Sequence, residues 1–218
     1  MKTFKKKNIE VAVEIRNKML SWNEVNKLLR REFNNKKENK DFHDIGYKIE
    51  LVNKLFNCNL NMDKREIAHE IQQLKIDSKF DVMKPEQLVK EIAKIQPSFY
   101  KRHVGFVFSS KYCHFHYPNK FPIYDRYARN ALSNLLGKSK SYYESNYTQF
   151  KKDLDDLISN LSWKSSYKEM DTYLWLYGQW IVYKKYIDDE SELKKRFSHR
   201  IRNFIKNHIE LFFELDSK

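Results

Sequence analysis

Glycine and proline are scarce in this chain, four of each in 218 residues. An all-β protein of that length needs a turn signal roughly every 8 to 12 residues, so sandwiches and barrels are excluded. Cysteine is scarcer still. Cys58 and Cys113 lie far apart and form neither a CxxC nor a Cys/His ligand spacing, which excludes a disulfide framework and a cysteine-built metal site. No apolar run approaches the roughly 18 residues of a membrane span. The basic opening Met1-Lys2-Thr3-Phe4-Lys5-Lys6-Lys7 leads into the mixed stretch from Asn8 to Arg16 and not into an apolar secretory segment, so a cytoplasmic protein is expected.

The last shortage is local. The chain carries 42 Lys and Arg against 29 Asp and Glu, a formal charge of +13. Between Pro97 and Lys140 the cations Lys101, Arg102, Lys111, Lys120, Arg126, Arg129, Lys138 and Lys140 meet a single acid, Asp125. A basic surface gains from counterion release when it meets a polyanion. DNA or RNA is therefore the first expected partner, and an anionic membrane surface the second.

Aromatic residues, by contrast, make up 15% of the chain and hydrophobic residues 41%, enough for a packed core. Apolar residues recur at helical spacing along most of the sequence. Trp22, Val25, Leu28, Leu29 and Phe33 follow Ser21 as a cap; Ile45, Ile49, Val52, Leu55 and Phe56 form a second stripe. Asp63 with Glu66 predicts a capped helix bearing Ile67 and Ile71, and Pro85 the first turn of a helix burying Leu88, Val89 and Ile92. Further stripes run from Tyr147 to Leu161, from Met170 to Ile181 and from Leu193 to Phe212, while Asn34 to Asp41 reads as a polar connector. The expectation is an all-α fold, a compact bundle of nine or ten helices in one domain over residues 1–218, with room for two lobes around a cleft.

The segment 103–132 departs from this plain pattern. A helix through His116 is ended by Pro118, a loop leads to Asp125, and a second helix from Tyr127 closes at Gly137. Asp125 thus stands at or just before a helix N-terminus. Two readings of it stay open: a helix cap, or a carboxylate that stabilises the positive charge developing on a sugar when an N-glycosidic bond breaks. Lys111 is open in the same way. It could contact phosphate, or attack an anomeric carbon as an amine. Tyr112, Tyr124 and His114 are the candidate lining of a pocket for a base turned out of the duplex. Lys101, Arg102, Lys120, Arg126 and Arg129 are candidate contacts to DNA phosphates. His114-Phe115-His116 lacks further ligands nearby, so no metal or other cofactor is expected.

A lysine within a helix, a proline-containing loop and an aspartate leading into the next helix resemble the helix-hairpin-helix DNA glycosylases, over about residues 97–135. Before the lysine this chain has Gly105, Ser109 and Ser110 where that family carries paired glycines. The resemblance implies that Asp125 occupies the aspartate position over the flipped nucleotide and Lys111 the position of a nucleophile. It further implies a monomeric enzyme that releases a damaged or modified base from DNA, and a defence glycosylase excising glucosylated hydroxymethylcytosine from phage DNA is one such case. A rival lies near the C-terminus, where Arg202-Asn203 followed by His208 resembles the active motif of helical HEPN ribonucleases. A non-catalytic helical DNA-binding protein is the third reading.

Overall fold

The computed structural model describes residues 4–58, 60, 62–95 and 103–217. Among them the fold is all-α, with no strand. The helices are α1 (Lys6–Lys18), α2 (Leu20–Asn35), α3 (Phe42–Phe56), α4 (Lys64–Gln73), α5 (Ile76–Val82), α6 (Pro85–Lys94), α7 (His103–His116), α8 (Arg126–Leu135), α9 (Tyr147–Ser159), α10 (Tyr167–Lys185), α11 (Glu190–Arg196), α12 (His199–Asn207) and α13 (Ile209–Leu215). That is thirteen among the described residues, where apolar spacing predicts nine or ten. The seven-residue α5 is too short to show a period, and α1 lies in the stretch from Asn8 to Arg16 that reads only as mixed. The run from Leu193 to Phe212 is broken twice: Phe197 turns extended and the Ser198 hydroxyl caps α12, and His208 divides α12 from α13.

Two compact units divide the chain. The first comprises Met1–Leu20, Asp125–Tyr142 and Leu161–Lys218; the second comprises Ser21–Tyr124 and Tyr143–Asn160.

In the second unit α3 packs on α4 and α7, and α6 on α7 and α9. The helices start where side chains can replace the missing backbone partners: Asp41 accepts from the Asp44 amide ahead of α3 and Asp63 from the Arg65 amide ahead of α4. Ile45, Ile49, Val52, Ile67, Ile71, Leu88 and Val89 are wholly buried, as their spacing predicts. Close approach fixes one glycine. A Cβ on Gly105 of α7 would lie 2.6 Å from the carbonyl oxygen of Ala93 in α6.

Periodicity did not predict a charge at the centre of this unit. Lys48 shares the inner face of α3 with Ile45, Ile49 and Val52, and it is fully buried. Its ammonium donates to the carbonyls of Lys36 (2.9 Å) and Glu38 (3.0 Å) and to Oδ1 of Asn39 (2.8 Å). Asn39 in turn is held by Asp77, which accepts from its amide nitrogen and its side-chain nitrogen (2.7 and 2.6 Å), and it accepts from the Tyr112 hydroxyl (2.6 Å). The polar connector thus turns the Asn39 side chain and the Lys36 and Glu38 carbonyls onto a buried lysine, while Lys37, Glu38, Lys40 and Asp41 stay exposed as residues. Burial pushes Lys48 down to about 8, with Asp77 and Asp44 opposing. Burial and the nearby Lys48 hold the His116 imidazole well below its ordinary range.

In the first unit α10 is the central element and packs on α1, α8 and α13. A capping box starts it, with Ser166 and Glu169 exchanging backbone bonds. Instead of one stripe, most of its circumference is covered, Asp171, Thr172, Gln179 and Trp180 included, the pattern of a helix enclosed by neighbours. Gly178 makes the tightest approach. A Cβ there would stand 2.1 Å from the carbonyl oxygen of Tyr127 in the first turn of α8. The Asn8 side chain of α1 donates to the carbonyls of Leu215 and Ser217, both at 3.1 Å.

Candidate active site

Helix α7 ends at His116 because the residue before a proline is biased out of helical backbone, and Tyr117 precedes Pro118. The loop that follows is pinned to α7 by side chains. His114 donates through Nδ1 to the Phe121 carbonyl (2.8 Å), and the Ser110 hydroxyl accepts from the Tyr124 amide (3.1 Å). Tyr147 donates to the Pro122 carbonyl (3.2 Å). The Tyr124 hydroxyl donates to the Tyr143 carbonyl and accepts from the Asn146 amide (3.1 Å). These bonds fix the chain up to the residue before Asp125.

Asp125 opens α8 in extended backbone, and its Oδ1 accepts from the Ala128 amide at 2.9 Å. It is a helix cap. Its other oxygen has no hydrogen-bond partner among the described residues, and the residue is half-buried. The cap and the catalytic reading are thus compatible: one oxygen orients the carboxylate at the positive end of the helix dipole, and the cap does not occupy the other. Arg126 follows it, exposed, with its guanidinium 4.9 Å from the Tyr127 ring centre and donating to that hydroxyl (3.1 Å). Gly178 lets α10 support this first turn, and the Tyr177 hydroxyl donates to Asn134 (2.9 Å) further along α8.

Lys111 lies on α7 in the second unit. Its side chain is 4% exposed, and Nζ lies 4.9 Å from the centre of the Phe56 ring. Among the described residues it has no acceptor and no carboxylate.

The expected base pocket is corrected. Tyr112 and Tyr124 are wholly enclosed and His114 is 4% exposed, and all three use their polar atoms inside the second unit. They are core, and density of aromatic residues cannot separate core from pocket. Of the expected phosphate contacts, Lys120 has its ammonium paired with Asp81 (2.9 Å) at the surface and donating to the Phe80 carbonyl (3.1 Å). Arg129 is half buried, whereas Arg126 is exposed. Lys101 and Arg102 lie outside the described residues.

Arg202 on α12 pairs with Glu190, Asn203 contacts His199 (3.0 Å), and the His208 ring packs edge-on to Phe204 with centroids 4.6 Å apart. Cys58 and Cys113 are buried without a disulfide, and burial raises the Cys113 thiol far above its usual range. Among the described residues no group of three His, Cys, Asp or Glu could hold a metal ion. No helix among them is long and apolar enough to cross a membrane.

Fold and site together define an all-helical protein with a helix-capping carboxylate set in a basic, acid-poor stretch of chain. By sequence, the chain belongs to the HI_0787_N family, N-terminal domain, whose match spans residues 5–120, more than half of its length. It is also 33% identical over 98 residues to an uncharacterized protein of Haemophilus influenzae, an alignment covering 43% of this chain. The chain spans about half the length of that curated relative, 46%. No solved structure matches it. The family match takes in α1 to α7 and stops short of Asp125.

Proposed function

We propose that the protein is a DNA glycosylase of helix-hairpin-helix type, with Asp125 as the carboxylate that stabilises the oxocarbenium-like state at the sugar. One observation carries this reading. The sole acid of the acid-poor segment is held by its own helix in a fixed orientation, with one oxygen left for another partner. Preorganised charge of this kind contributes to rate because it need not reorganise as positive charge develops. In this reading the protein acts as a monomer in the cytoplasm and extrudes the target nucleotide from the duplex. Lys111 adds a lyase step only if its amine reaches the anomeric carbon. The Phe56 ring beside it attracts a cation, which favours hydrolysis by water over a covalent adduct.

The test separates chemistry from stability. Asparagine caps a helix as well as aspartate does, so Asp125→Asn should melt within about 0.5 kcal/mol of wild type. It should nevertheless lose base release by 100-fold or more, about 2.7 kcal/mol at the transition state. Wild-type protein is incubated with unmodified, oxidised and glucosylated-hydroxymethylcytosine duplexes, and abasic sites are counted after alkaline cleavage. Full activity in Asp125→Asn removes the carboxylate from the mechanism. Absence of abasic sites from every duplex leaves a helical DNA-binding protein. Borohydride trapping addresses Lys111: a covalent adduct that disappears in Lys111→Ala assigns it the nucleophile, and no adduct assigns hydrolysis.

A further inference from the structure

Within the first unit, a concave cleft of about 340 Å³ is lined by α8, the residues after it, the end of α10, and α11. Its charge is of one sign. Arg126, Lys138, Lys140, Lys185 and Arg196 line it, and no Asp or Glu does. All five residues are exposed. Only Arg196 is ion-paired among the described residues, to Glu192 at 2.6 Å. Lys138 and Lys185 instead lie over the rings of Tyr142 and Tyr186, at 4.8 and 5.1 Å. Cations in protein surfaces ordinarily acquire carboxylate neighbours. A cleft that gathers five cations and pairs one with a carboxylate among the described residues keeps most of its positive potential for something from outside.

Two neutral groups point the same way. Ser133 lines the cleft at 1% exposure, and its hydroxyl has no hydrogen-bond partner. Buried hydroxyls are rarely left so, because each costs about 1–3 kcal/mol unsatisfied. Asn134, also in the lining, accepts from the Tyr177 hydroxyl through its Oδ1, so its NH₂ end remains as a donor. The cleft therefore offers guanidinium, ammonium, hydroxyl and amide donors, the set that receives phosphate oxygens.

We infer that this cleft is a phosphate grip for a nucleic-acid strand, formed by α8, α10 and α11 and separate from the Asp125 carboxylate at the start of α8. The inference deepens the glycosylase reading and takes from it the identity of the strand as DNA. A strand fits better than a bilayer, since the cations line a concavity and do not spread over an open face. It fits better than a lone anion, since they are contributed by three separate stretches of chain.

The experiment is a salt titration of binding to a fluorescein-labelled 20-base-pair duplex, followed by anisotropy. Each phosphate contact adds about 0.9 to the slope of log K against log salt. The Lys138→Gln/Lys185→Gln double variant should lower that slope by about 2 and weaken binding at least tenfold. Ser133→Ala should weaken it a few fold with no change of slope. Lys206→Gln, an exposed lysine that does not line the cleft, serves as the control and should change neither by more than one contact's worth. Circular dichroism verifies that the variants are folded. An unchanged slope and affinity in the double variant overturns the inference, as does lysine-dependent binding to phosphatidylserine vesicles or to pyrophosphate with the duplex unaffected. Base release plays no part in the readout. A reduced slope in a protein that frees no base upholds the grip while the glycosylase reading fails.

Discussion

Methionine in place of Lys48 is expected to destabilise the second unit by about 3 kcal/mol at neutral pH. The methionine fills most of the volume, so the loss does not come from a cavity. It comes from the carbonyls of Lys36 and Glu38, which lose the ammonium that bridges them; an orphaned buried acceptor costs about 1–3 kcal/mol. Part of this is offset because the variant no longer buries a charge. Asn39 keeps its bonds to Asp77 and Tyr112, which confines the damage to the connector between α2 and α3. Urea denaturation followed by circular dichroism measures the effect, and a loss below about 1 kcal/mol would show that water replaces the ammonium.

The pH dependence has a definite sign. Burial lowers Lys48 to about 8 in the folded chain, against an ordinary lysine value near 10.4. Between those limits the unfolded chain binds more protons than the folded one, so stability from this residue rises with pH across that window and is flat below it. The advantage of wild type over Lys48→Met should therefore grow from pH 8 to pH 10. Comparing the two proteins removes the contributions they share, such as the raised thiol of Cys113. An advantage constant over that range would mean that the three acceptors hold the proton against burial. His116 acts at the other end. Its imidazole is held below the ordinary value, so stability should fall as pH drops below about 6.5 and the unfolded chain takes up the proton.

Alanine at position 178 is expected to be the other large perturbation. Its Cβ would sit 2.1 Å from the Tyr127 carbonyl oxygen, well inside contact distance, and the obstacle is backbone, which cannot rotate aside. Overpacking of this kind costs about 1–3 kcal/mol and sometimes more, and the present case belongs at or above 3 kcal/mol. For a chain of this size that corresponds to a drop in Tm of roughly 6–12 °C, read by scanning calorimetry. The strain falls on the first turn of α8, so Asp125 and Arg126 should shift as well, and base release should fall further than stability alone explains. Gly105→Ala, at 2.6 Å from Ala93, should cost less. A Gly178→Ala protein melting within 2 °C of wild type would show that α10 can slide along α8.

Helix identity was legible wherever a stripe had one wet side. Ile45, Ile49 and Val52, or Leu88, Val89 and Ile92, announce a face at three- and four-residue spacing, and those faces are buried. Legibility failed where a helix is too short to complete the pattern, as in α5, and at the two breaks in the run of α11 to α13; α10 was read as a helix from Met170 to Ile181, but one stripe did not reveal that most of its circumference is covered. The position of Asp125 could be read from its neighbours, because a helix that opens after a loop needs a cap. The fate of Tyr112, Tyr124 and His114 could not, since a pocket and a core use the same side chains. Lys48 did leave a signal: it occupies the third place after Ile45 and the fourth before Val52, where a solvated lysine has no business. The cleft was half visible. Arg126, Lys138 and Lys140 belong to the acid-poor stretch, while Lys185 and Arg196 arrive from helices far along the sequence and join them only through folding.

The distribution of two rare side chains between the units has a practical outcome. Both thiols, Cys58 and Cys113, fall within the second unit and are shielded, while Trp163, Trp175 and Trp180 fall within the first. Reaction of the native chain with a sulfhydryl dye therefore times the breathing of one half, and intrinsic emission is weighted toward the melting of the other. Whether the halves come apart in one event or in succession can be watched in a single cuvette without engineering a label.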